Sequence, residues 1–158
     1  MGLSGPAKFA AFLLFIGLFQ PMIGFSFLGE SIGAGFTYLD ALTTIITGDV
    51  FKDPILTKSK FVLASFITTI LTYVAAFALL LLFLAGGSRS RQAYRTAHYL
   101  TWIAVGSGVA FPHFLLRAEG PMAAAAAGFF GAGFVPGLAI YIAGFAALVL
   151  AFGPSYTR

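Results

Sequence analysis

The sequence predicts an all-α integral membrane protein with four transmembrane helices and both termini inside, and three observations carry that prediction. Of the 158 residues, 59% are hydrophobic and 9% charged, with a mean hydropathy of +0.97; a typical soluble domain is about 45–50% apolar and about 25% charged. Too few charges remain to clothe a soluble surface, which excludes a soluble enzyme domain, a nucleic-acid reader and a disordered tail. Apolar runs of the ~20 residues that a bilayer span requires recur four times. No charge falls within the core of any run, so the whole chain, 1–158, reads as a single polytopic membrane domain.

The first span is expected over 7–28, interrupted only by Gln20, Pro21 and Ser26. It is too long for a cleaved signal core and no Ala-x-Ala site follows, so it reads as retained. The second, over 61–85, ends in Leu79–Leu84 and is stopped by Gly86, Gly87 and Ser88. The third covers 97–116 and is interrupted late by Pro112. The fourth, 122–152, would reach about 46 Å as one helix, beyond a hydrocarbon core of ~30 Å. It either tilts, or Pro136 divides it into an interfacial and a spanning half.

The connections set the orientation. Four spans place the N-terminus, the Gly86–Thr96 loop and the C-terminus on one side, with Lys8, Arg89, Arg91, Arg95 and Arg158 and no acid. The other side holds Lys52, Lys58, Lys60 and Arg117, and all five acids, Glu30, Asp40, Asp49, Asp53 and Glu119. The arginine density marks the first side as cytoplasmic, so the net charge of +4 reads as loops facing an anionic leaflet rather than as a nucleic-acid surface. Tyr94, Tyr99 and Trp102 beside the arginines fit an interfacial aromatic belt. The first outer loop, the 32 residues Gly29–Lys60, carries a short amphipathic helix: Leu39, Leu42, Ile45 and Ile46 share a face, and Gly48 can stop it. The same Thr43–Asp49 run shares a threonine pair and a glycine with potassium-channel filters, but Ile45, Ile46 and Thr47 stand where the filter needs its glycine-bearing run.

Candidate chemistry is sparse. With no cysteine there are no disulfides, thiolate metal sites or thiol nucleophiles. His98 and His113 lie on one span about 22 Å apart along an ideal helix, so they cannot share a metal or a haem. Each could give a single axial ligand to a haem or a chlorophyll-type pigment completed by another chain, with His113 favoured because Pro112 can bend the helix around a ring. Intramembrane polar residues are Gln20, Ser65, Thr69, Thr72 and Tyr141, with Thr68 and Tyr73 flanking; hydroxyls at this spacing either line a polar path or glue helices together. Ala123, Ala127 and Gly131, and Gly133 and Gly137, repeat at four-residue spacing and suggest a close-packing face.

No acid or base lies within any span core, which argues against a coupled carrier or pump. No paired carboxylates or serine elbow appear, so the chain reads as no enzyme, with no metal site. The expected function is a non-catalytic accessory or assembly subunit of a larger membrane complex, in a bacterial cytoplasmic (inner) membrane, with no cofactor of its own. Its expected partners are other integral membrane subunits and lipid, with homo-oligomers allowed and no nucleic acid. The alternatives are a haem- or pigment-binding anchor of an electron-transfer or photosynthetic complex, and a small homo-oligomeric channel using the Thr-rich loop or the hydroxyls of the second span.

Overall fold

In the computed structural model, the described residues are 4–27, 30–34, 36–86, 91–122, 125 and 133–155. Five helices dominate them: α1 (Ser4–Gly17), α2 (Tyr38–Ile46), α3 (Lys60–Leu84), α4 (Arg91–Ala118) and α5 (Leu138–Ser155). Two of these, α3 and α4, are long and apolar enough to cross a membrane, while α1 and α5 are apolar but shorter. Short strands complete the architecture: β1 (Ile23–Phe27), β2 (Glu30–Ala34) and β3 (Gly133–Pro136).

Local chemistry explains both ends of α2 and the start of α3. Thr37 caps α2: its hydroxyl oxygen accepts from the Asp40 N–H at 3.2 Å, and the Asp40 carboxylate accepts from the Thr37 N–H at 3.3 Å. Gly48, at φ 76°, follows α2 in the left-handed region that glycine enters without a Cβ clash. Ser59 caps α3 by accepting from the Phe61 N–H at 3.3 Å. Pro112 lies buried within α4, and the helix continues through it to Ala118 rather than breaking there as the sequence suggested. Neighbouring helices can sustain a proline in an apolar helix.

Packing closes the four longer helices into a ring in which α1 touches α3, α3 touches α4, α4 touches α5 and α5 touches α1. Aromatic pairs Phe66–Phe111 and Phe61–Phe114 join α3 to α4, and Phe9–Phe145 joins α1 to α5. At one end the Phe83 ring meets Tyr94, and the Tyr94 hydroxyl donates to the Leu150 carbonyl at 2.9 Å. At the other end Lys58, before α3, pairs with Glu119, after α4. The first end therefore carries Lys8, Arg91 and Arg95. Lys52, Lys58, Lys60 and Arg117 gather at the second, with Asp49, Asp53 and Glu119.

The expected first span, 7–28, is not one helix. It ends at Gly17, and the chain turns through Gln20 and Pro21 into β1. Proline cannot continue the helical ladder, and Ile23, Phe25 and Phe27 alternate in the sequence with Gly24 and Ser26, a period of two. β1 and β2 form a hairpin whose neck is closed by the Pro21–Thr37 bridge and by the Met22 N–H donating to the Phe36 carbonyl at 2.8 Å. On the other edge β1 pairs antiparallel with β3, giving the order β2-β1-β3. A sheet was not expected in an all-α chain. The expected fourth span, 122–152, is likewise divided: β3 ends at Pro136 and α5 begins at Leu138.

The start of α5 depends on the end of α1. Its first N–H groups have no partner within the helix. The Gly137 N–H donates instead to the Met22 carbonyl at 3.0 Å, and the Ala139 N–H to the Pro21 carbonyl at 3.0 Å. A Cβ on Gly137 would lie 2.7 Å from the Ile23 nitrogen and press on the Pro21 carbonyl oxygen. Backbone cannot yield there as a side chain can. We therefore expect Gly137→Ala to destabilise the fold by about 1–3 kcal/mol or more, the usual cost of overpacking. Gly144→Ala, with nothing within 4 Å of the new methyl, serves as control and should match the parent. Thermal unfolding in detergent checks both; a Gly137→Ala chain as stable as Gly144→Ala would remove this contact from the fold's supports.

Candidate functional site

The most distinctive polar feature is a pair of tyrosines where α1 stops. Tyr73 stands midway along α3, about 20 Å from its start, and its hydroxyl donates to the Leu14 carbonyl at 2.6 Å. That carbonyl belongs to the last turn of α1 and also accepts from the Leu18 N–H at 3.2 Å, so Tyr73 supplies its second donor. Gly17 makes room: a Cβ there would collide with the Tyr73 hydroxyl. Tyr38, the first residue of α2, stacks on Tyr73 with ring centroids 3.9 Å apart and planes at 21°, and is fully buried. Burial, and then its neighbour Tyr73, push the Tyr38 hydroxyl well above the usual tyrosine range, so it stays protonated. It has no hydrogen-bond partner among the described residues. Sequence reading passed over Tyr38 and gave Tyr73 only a flanking place. A tyrosine between Thr37 and an apolar helix face carried no signal of the stack, because its partner lies on another helix.

The hydroxyls of α3 turn inward on their own helix. Ser65 donates to the Val62 carbonyl at 3.0 Å, Thr69 to Ser65 at 2.7 Å and Thr72 to Thr68 at 2.7 Å. Thr69 is buried and its methyl lies 3.3 Å from where a Cβ on Gly108 would stand, at the α3–α4 contact. These donors are used on carbonyls of the same helix, and at Thr69 the side chain packs at the α3–α4 contact. Thr43, Thr44 and Thr47 do the same in α2, each bonding a carbonyl one turn back. The run compared above with a channel filter is thus a helix and its stop. Gln20 sits at the bend after α1, and Tyr141 lies on the outward face of α5, 64% exposed.

The two histidines are differently engaged. His98 is half-buried and its Nε2 accepts from the Trp102 indole N–H at 2.8 Å, with the ring stacked near Tyr99. Axial ligation through Nε2 would have to displace that bond. His113 is exposed on the outward side of α4, its ring 6.4 Å from that of Phe114. A ligand bound there would need its other contacts from outside the chain. No group of three or more His, Cys, Asp or Glu that could hold a metal occurs among the described residues.

Of the proposed packing face, Ala123, Ala127 and Gly131 lie outside the described residues. Gly133 and Gly137 do not share a helix face: Gly133 pairs with Ser26 in the sheet, and Gly137 precedes α5 against Pro21–Ile23. The four-residue spacing was read with a helical period over a segment that is extended.

Comparison of the chain with family models, with curated proteins and with solved structures finds no match.

The tyrosine pair yields opposite expectations for two conservative changes. Tyr73→Phe removes one of two donors to the Leu14 carbonyl, which keeps the Leu18 N–H at 3.2 Å, so the cost is that of one net hydrogen bond, about 0.5–1.5 kcal/mol. Tyr38→Phe removes a hydroxyl that bonds to none of the described residues, so its unfolding midpoint should equal or exceed the parent's. Equal midpoints for the two variants would refute this assignment of roles.

Proposed function

We propose that the chain is a four-span membrane protein acting as a non-catalytic accessory or assembly subunit of a larger membrane complex. α1 and α5 serve as short spans beside α3 and α4, the termini face the cytoplasm, and the membrane is a bacterial cytoplasmic one. The observation that carries this reading is the division between the bundle's inside and its outside. Inside, Ser65, Thr69, Thr101, Tyr73 and Tyr94 all spend their hydroxyls on carbonyls of the same chain. Outside, large apolar side chains face away from the bundle: Phe9, Phe12, Phe15 and Phe19 around α1, and Leu138, Phe145, Leu148 and Phe152 on α5. A core that uses its polar groups for closure and a surface of aromatic and aliphatic side chains suit a part that binds lipid and other spans. The exposed His113 favours one second reading, an anchor whose haem or pigment is shared with a partner chain.

The test is isolation from native membranes in two mild detergents, followed by size analysis and visible spectroscopy. The chain is expected to travel with at least one foreign integral membrane subunit at a ratio that both detergents preserve. The visible spectrum should not change in His113→Leu. A lone chain or a pure homo-oligomer would overturn the accessory role. Loss of a resolved haem or chlorophyll band in His113→Leu, with subunit content intact, would transfer the reading to the anchor.

A further inference from the structure

We infer that the outward face of the first half of α4 holds the headgroup of an anionic phospholipid. Arg91 and Arg95 stand one turn apart and are both exposed; His98, Tyr99 and Trp102 extend this side of the helix over the next two turns. The opposite side of the same stretch, Tyr94, Ala97 and Thr101, is buried in the bundle. The Trp102 indole donates to His98 Nε2 at 2.8 Å, which leaves the neutral imidazole its proton on Nδ1 as a donor. From Arg91 to Trp102 the helix rises about 16 Å, enough to cross a headgroup layer of ~5–8 Å and enter the hydrocarbon. Guanidiniums thus stand at phosphate level, with Tyr99 and Trp102 about 12 and 16 Å further down the helix, beside the upper acyl chains.

Charge complementarity selects the occupant. The chain has five acids, and none lies between residues 54 and 118. Among the described residues the ion pairs are Lys52–Asp49 and Lys58–Glu119, both remote from these arginines. Paired guanidiniums with no carboxylate partner among the described residues can bind a phosphodiester in charge-assisted, fork-like hydrogen bonds. The adjoining indole and phenol favour a phosphate that carries acyl chains over a free anion. This inference rests on the membrane reading above and not on the accessory role.

The test uses the full chain in a neutral detergent, titrated with phosphatidylglycerol or with phosphatidylcholine of the same acyl chains and followed by native mass spectrometry. Wild type should bind phosphatidylglycerol at least tenfold more tightly than phosphatidylcholine. The exposed-site variant Arg91→Gln/Arg95→Gln should lose that preference, while Lys52→Gln at the opposite end keeps it. Millimolar inorganic phosphate should leave the bound lipid in place. Equal affinities in wild type, a preference that survives in the double variant, or displacement by phosphate would each overturn the proposal. Wild type that needs detergent but shows no preference sinks this proposal alone; wild type that stays dispersed without detergent removes the membrane reading with it.

Discussion

The bond from the Tyr73 hydroxyl to the Leu14 carbonyl is the interaction around which the bundle is arranged. An apolar surrounding makes every unpaired backbone group expensive, and α1 ends where its last carbonyls face the middle of α3. Tyr73 gives one of them, the Leu14 carbonyl, a second donor beside the Leu18 N–H. The geometry requires a glycine at position 17, because the hydroxyl fills the space of a Cβ. With α1 stopped there, the chain must leave, and it leaves as β1. The sheet is the consequence: strands satisfy one another's amides where the helix has ceased to do so. α2 then returns to α3 through the Tyr38 stack, so that two short helices, α1 and α2, together accompany one long one.

Legibility in the sequence followed the reach of each signal. The helical class, the two long helices and the amphipathic α2 with its glycine stop were readable because their cues lie within one turn or one face: the leucine-rich 79–84 run, the Leu39–Leu42–Ile45–Ile46 face, Gly48. The sheet was not. Gln20-Pro21 registered as a minor interruption of an apolar run, although a proline followed by alternating Ile23, Phe25 and Phe27 is a strand signal. Hydropathy summed over a span-length window erases a five-residue alternation. Gly133 and Gly137 failed differently, since a spacing of four has meaning only once the backbone is known to be helical. Tyr38 and Tyr73 are close in space and distant in sequence, and nothing local marks either one.

The electrostatic plan separates structural from available charge. At one end Lys58 and Glu119 clasp the start of α3 to the end of α4, and Lys52 pairs with Asp49. Such partly exposed pairs contribute little to stability, about 0–1 kcal/mol each, but they leave that end nearly neutral. At the other end Arg91 and Arg95 stand with no carboxylate partner among the described residues. The same molecule therefore has one face that balances itself and one that draws its counter-charge from outside.

The joining of β1 to β3 has a consequence for how the chain is made. β1 emerges early in synthesis, yet the strand that completes its second edge, and the helix whose N–H groups its preceding carbonyls receive, come more than a hundred residues later. Contacts this distant in sequence form late, because the entropy of closing the intervening loop comes first. Until the residues near 140 leave the ribosome, the Pro21 and Met22 carbonyls and one edge of β1 have no mate. The docking of the Pro21–Ile23 segment against α5 is therefore among the last contacts the chain can make.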